Sequence, residues 1–294
     1  MTVTQATKPL SKRIAIVFDF DDTLVPDTVD SLVESCGMDS QKFRQERIDP
    51  LINAGWDAIP ARFYAFIQES KQRNDGKDRI TQEYLTHFGR ELKPFDGVPE
   101  MFERLRSCAC NLVPDIEIEF YLITCGMVDI ARHTCIADQF KAMWGCEFHY
   151  NESGEIEFLK RIVTHTEKTR YLFLISKGID DRKQYRENDL LFVYGDIAPE
   201  KLHVPLTQVI YVGDGASDVP CFTVLNDHQG VAIGVYKGHT SEEWNREVKL
   251  SKGQRVVNLA EADYSEDSEL MRSLTLAVES RCKQIALAQL SVGE

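Results

Sequence analysis

An unbroken apolar run, Ile14-Ala15-Ile16-Val17-Phe18, leads directly into Asp19-Phe20-Asp21-Asp22-Thr23. A run with no polar alternation and many branched residues is what a strand buried on both faces of a parallel sheet requires. Such a sheet must be covered by helices, and ligands of these folds bind outside the carboxyl ends of the strands. A buried strand that ends on acids therefore constrains both the architecture and the place of the chemistry. The pattern recurs. Gln208-Val209-Ile210-Tyr211-Val212 runs into Gly213-Asp214-Gly215-Ala216-Ser217-Asp218, and a further strand-like stretch from Ile116 to Ile123, interrupted by Glu117 and Glu119, runs into Thr124-Cys125-Gly126.

Between these runs the periodicity changes. Thr28 to about Leu92 has helical spacing, punctuated at Gly37-Met38-Asp39, Asn53-Ala54-Gly55 and Asn74-Asp75-Gly76. Cys146 to Arg161 reads as a hairpin turning at Asn151-Glu152-Ser153-Gly154, and a helix is expected from about Glu167 to Ser176. Val231-Ala232-Ile233 reads as another buried strand, with a helix before it beginning near Ser217. Ser268 to Leu290 reads as an amphipathic helix after an acidic loop, and Gly178 to Pro205 as an insertion or surface lobe. Strands alternating with helices imply an α/β fold with a doubly wound, Rossmann-like parallel sheet.

Composition narrows the partners. The net charge of −13 repels nucleic acid and anionic membrane surfaces at long range. No apolar run reaches the roughly 18 residues of a membrane span, and the first residues lack the apolar stretch of a secretory signal, so a cytoplasmic location is expected. Eight scattered cysteines without a C-x-x-C pair read as reduced thiols rather than a disulfide scaffold or a zinc site. The acidic field would also repel a phosphorylated metabolite, so a phosphate site here needs local positive charge.

Asp-x-Asp alone carries little weight, since about one is expected by chance in a chain of this size. Gly-Asp-Gly-x-x-Asp after a second buried strand is far rarer, with a chance expectation on the order of 0.5%. Side chains two apart on an extended segment point the same way, which aims Asp19 and Asp21 into one space. If Asp214 joins them, each like-charged pair at about 4 Å costs about 4 kcal/mol at an effective dielectric near 20, so a cation or a proton must intervene. Hard oxygen ligands without His or Cys favour Mg2+. One carboxylate can then attack phosphorus while the other protonates the leaving oxygen and activates water, roles that suit Asp19 and Asp21. Thr124 offers a hydroxyl, Cys125 and Gly126 offer backbone amides, and Lys168 at a helix start offers charge to a phosphate. Lys160 and Lys177 compete for that last role.

With these residues in order, the chain resembles the haloacid dehalogenase superfamily of phosphohydrolases, closest to its phosphoserine-phosphatase-like branch. The resemblance rests on Phe18 to Leu24, Leu122-Ile123-Thr124, Lys168, and Gly213 to Asp218. It implies that Asp19 is the nucleophile, Asp21 the acid/base, and Asp19 with the Asp21 carbonyl ligands of magnesium. It further implies that Thr124 and Lys168 bind phosphate, that Asp214 ligates the metal, and that Asp218 supports it directly or through water. The helical stretch occupies the place of the family's substrate cap, giving a core of 1–26 and 93–294 and a cap of 27–92. The branch commonly carries Ser in its second motif and Glu nine residues after the nucleophile, where this chain has Thr124 and Thr28.

The expected activity is Mg-dependent hydrolysis of a small phosphomonoester, with phosphoryl transfer to another acceptor, as in a mutase, or phosphate binding without turnover as alternatives. Asp22 reads as a turn residue, and Trp56, Phe63, Tyr64 and Phe66 as helix-packing residues. Arg62 is a candidate for substrate recognition. Val193-Tyr194-Gly195-Asp196 imitates the last motif but lacks its second glycine and later acid, so it reads as structural.

Overall fold

The computed structural model describes residues 11–73, 79–180, 193–237 and 256–290. Its strands are β1 Arg13–Phe18, β2 Glu117–Met127, β3 Ala142–Tyr150, β4 Ile156–Arg161, β5 Val209–Gly213, β6 Val231–Tyr236 and β7 Asn258–Glu261. They form one sheet in the order β4-β3-β2-β1-β5-β6-β7, parallel throughout except for the β3–β4 hairpin. β1 is central, with the chain passing first to the β2 side and later to the β5 side. This is the strand-order reversal at which α/β sheets open a ligand crevice.

Register does the rest. Phe18 lies opposite both Leu122 of β2 and Val212 of β5. Asp19, Thr124 and Asp214 therefore follow within one or two residues of a common level. β2 runs on to Met127, so Thr124, Cys125 and Gly126 lie within the strand rather than beyond it. A register shift against β3 between Ile123 and Met127 loosens the pairing where these residues sit.

Helix Val98–Leu112 buries Val98, Met101, Phe102, Leu105 and Ala109, a single stripe at helical spacing. It packs against helix Glu269–Leu290, and Phe102 meets Phe120 edge-on at 4.9 Å. The segment between β1 and β2 also holds helices Thr28–Ser35, Ala58–Gln72 and Gln82–Glu91. Phe63 and Phe66 are buried against Phe148 of β3, at 5.6 and 6.1 Å between rings. Trp56 and Tyr64 differ from the packing role expected of them. They are 40% and 42% exposed and meet each other with tilted rings at 4.8 Å, Tyr64 lying on the opposite face of its helix from the buried Phe66.

β7 replaces part of the expected acidic loop. Only Ala260 of its four residues is buried, so no apolar run announces it. Of the stretch 178–205, residues 181–192 lie outside the described residues. Its remainder is clasped to the body: Lys177 Nζ donates to the carbonyls of Val193 at 2.7 Å and Gly195 at 2.6 Å, and His203 Nε2 lies 2.8 Å from buried Glu119. Among the described residues no helix is long and apolar enough to cross a membrane.

Candidate active site

Asp19 follows directly on β1, where its N–H donates to the carbonyl of Val212 at 2.9 Å. The side chain is 4% exposed; Oδ1 accepts from Phe20 N at 2.8 Å and Oδ2 lies 3.0 Å from Lys168 Nζ. Burial and the charge of Asp218 push this carboxyl up to about 7, against the pull of Lys168. A buried carboxylate so raised is poised between protonated and ionised forms at neutral pH.

Lys168 is fully buried in the first turn of helix Glu167–Ser176. Its ammonium contacts Asp218 Oδ1 at 2.7 Å, Asp19 Oδ2 at 3.0 Å and Ser217 Oγ at 3.2 Å. Burial works to lower its pKa, but Asp19 and Asp218 overcome that and hold it well above the usual lysine value. The rival lysines point elsewhere. Lys177 is spent on backbone carbonyls, and Lys160 pairs with Glu147 at 3.1 Å.

Asp218 stands at the N-terminus of helix Val219–Asp227, yet its side chain makes no capping bond. Oδ1 instead accepts from Lys168 and from the Tyr211 hydroxyl at 2.6 Å, while Gly215 N reaches Oδ2 at 3.3 Å. A side chain at Gly213 would collide with it, since a Cβ there would lie 2.4 Å from the Asp218 carboxyl. Asp214 is partly exposed, and burial together with Asp19 and Asp218 raises its carboxyl well above the usual range.

Asp19, Asp214 and Asp218 each offer a ligand atom within 4.8 Å of the others. Among the described residues, Lys168 is the one ammonium that contacts two of these three acids. An all-oxygen donor set with excess negative charge, in which Asp19 and Asp214 are driven toward protonation, fits a small hard cation such as magnesium. The Asp21 side chain is outside this cluster. Its Oδ1 accepts from Thr28 N at 2.8 Å and its Oδ2 faces Thr124 Oγ1 at 3.5 Å, so any share in metal binding falls to its carbonyl. Burial and Asp27 push this carboxyl up to about 6, with Thr28 and Arg62 opposing.

The Thr124 hydroxyl accepts from Gly126 N at 2.7 Å, which leaves its own proton to be donated outward, toward Asp21 or a ligand. Gly126 has room for no side chain, because a Cβ would lie 1.9 Å from Asp21 Oδ2. Burial pushes the half-buried Cys125 thiol up to about 12, so it is not a thiolate nucleophile. Sequence reasoning missed Tyr211 and Ser217, which hold Asp218 and Lys168. A tyrosine inside an apolar run gives no sign of where its hydroxyl will point.

No family model matches the chain. It is 26% identical over 299 residues to an uncharacterized protein of Borreliella burgdorferi, covering 87% of this chain and 93% of that one. Among solved structures it resembles a probable phosphoserine phosphatase from Vibrio cholerae, with a TM-score of 0.55 and 12% identity over 94% of this chain and 68% of that one. It also resembles a substrate-bound phosphoserine phosphatase, with a TM-score of 0.51 and 14% identity over 90% and 98% of the two chains. At these identities the likeness shows a shared fold, the α/β architecture of the phosphoserine phosphatases.

Proposed function

We propose that a protein with this fold and this site hydrolyses a small phosphomonoester by way of a phosphorylated Asp19. The observation that carries the reading is the convergence of Asp19, Lys168, Asp218 and Asp214 at the carboxyl edge of the sheet, with Asp21 and Thr124 beside them. Asp19 attacks phosphorus. Asp21, raised to about 6, gives its proton to the departing alcohol oxygen as the phosphorus–oxygen bond breaks, then takes one from the water that cleaves the acyl phosphate. Lys168 and the outward proton of Thr124 stabilise the phosphoryl oxygens.

Asp19, Asp214 and the Asp21 carbonyl would hold Mg2+, with Asp218 behind them. When bound, the ion supplies positive charge that offsets the clustered acids and polarises the phosphoryl group. Residues 27–92 serve as the cap that excludes water, and the burial of Asp19 suits a small substrate.

The test is phosphate release from an aryl phosphate with and without Mg2+, alongside Asp19→Asn. Turnover in the wild type and none in the variant is expected, with a hydroxylamine-sensitive phosphoenzyme in the wild type alone. Equal turnover by both proteins would exclude Asp19 as nucleophile.

A further inference from the structure

Asp22 is more than a turn. It takes the left-handed conformation, φ +53°, and its Oδ1 accepts two hydrogen bonds, from Asp27 N at 3.0 Å and from Lys237 Nζ at 2.7 Å. Lys237 directly follows β6, whose neighbour β5 leads into Asp214, so the lysine is rooted on the same sheet edge as the acids. Asp27 in turn caps helix Thr28–Ser35, accepting from Val29 N and Asp30 N at 2.9 Å each. The first amide of that helix, Thr28 N, is the group that holds Asp21 Oδ1. A path thus runs from Lys237 through Asp22 and Asp27, which Arg62 also holds at 3.4 Å, to the Asp21 carboxyl, while the Asp21–Val25 bridge and Asp22 N→Val25 O at 2.7 Å close the loop between them.

We propose that Lys237 and Asp22 form a positioning pair that sets the Asp21 carboxyl for proton transfer to the leaving oxygen. This rests on Asp21 being the acid of the reaction proposed above. The pair contributes little to stability, because the Lys237 side chain is 51% exposed and that of Asp22 24%. Its effect is on geometry. Asp22 must stay left-handed for its carboxylate to reach Asp27 N, and the ammonium holds that carboxylate over the turn. Released, Asp27 and the start of the helix shift, and Thr28 N moves with them. A displaced general acid handicaps leaving groups that need a proton and spares those that do not.

The experiment uses the full-length protein with Mg2+ and two substrates, phenyl phosphate and 4-nitrophenyl phosphate. Lys237→Met is expected to slow phosphorylation of Asp19, read as alcohol release in a single turnover so that the later hydrolysis in which Asp21 serves as base does not enter, about tenfold with phenyl phosphate and less than about twofold with 4-nitrophenyl phosphate, with KM unchanged. Asp22→Asn, which keeps an acceptor and tolerates the left-handed turn, is expected to match it. The double variant should be no slower than either single one, and Lys237→Arg should restore the rate. Amide exchange at Asp27 and Thr28 should quicken in Lys237→Met. Equal losses on both substrates, additive effects, unchanged exchange, or a rise in KM alone would overturn the pair, the last by showing that Lys237 binds substrate. Asp21→Asn is run in parallel. If it shows no leaving-group dependence, the reading of Asp21 as acid fails; if it does and Lys237→Met does not, only the positioning pair fails.

Discussion

Asp19→Asn should make the metal-free protein more stable while abolishing turnover. Asp19 is nearly isosteric with Asn and 4% exposed, and its carboxyl is raised from 3.8 to about 7. A carboxyl whose folded pKa lies above its unfolded value binds more protons in the folded state between those limits, so stability falls as pH rises through that window. The shift of about 3 units corresponds to about 4 kcal/mol of penalty above pH 7, absent below pH 4. Asn, like the protonated acid, carries no such penalty, and the pull of Lys168 on the charged form is already counted in the shift. The expectation is a gain of up to about 4 kcal/mol at pH 8, or about 8 °C in Tm for a chain of this size. Melts followed by circular dichroism in EDTA at pH 8 and pH 5 would read it. The gain should shrink toward pH 5, where wild type recovers part of its stability, and Mg2+ at pH 8 should stabilise wild type more than the variant. An Asn variant less stable than wild type at pH 8 in EDTA would refute the account of Asp19 as a buried, strained charge.

Three further outcomes follow from the geometry. Lys168→Met leaves Asp19 and Asp218 buried without their cation and should cost about 3–5 kcal/mol in urea titrations at pH 8; a loss below about 1 kcal/mol would contradict the ion-pair reading. Gly126→Ala places a Cβ where Asp21 Oδ2 lies and should lower kcat about 100-fold while the protein remains folded, as checked by steady-state kinetics beside a melt. Glu119 works far from this site: it is 4% exposed, burial raises its pKa, and Lys141, Tyr121 and His203 outweigh that and hold the carboxyl below the usual glutamate value. A depressed carboxyl stabilises above its unfolded pKa and loses that contribution as pH falls through the folded one, so Glu119→Gln should cost about 2 kcal/mol at pH 7 and progressively less below about pH 4.5 in denaturant titrations.

Local signals and long-range ones divide cleanly in this chain. Buried strands announce themselves because a segment covered on both faces must be apolar throughout, and this alone located β1 and β5 and the acids at their ends. The hairpin turn at Asn151 to Gly154 and helix Glu167–Ser176 were legible for the same reason, since turn chemistry and helical spacing are properties of neighbours in the chain. β7 was not, because a short strand with one buried residue has no pattern to read.

What spacing could not decide is which groups share a pocket. Lys160, Lys168 and Lys177 are equivalent by composition; only the packing of helix Glu167–Ser176 beside the sheet places the middle one on Asp19 and Asp218. Tyr211 looks like any strand residue until its hydroxyl is found on Asp218. Asp22 and Lys237 are 215 residues apart, and the parallel pairing of β1, β5 and β6 brings their ends to one edge. The strand ends on which chemistry stands are written in the order of residues alone, because burial and backbone geometry act locally. Register and strand order decided which side chains meet, because those depend on contacts between segments that the chain keeps far apart.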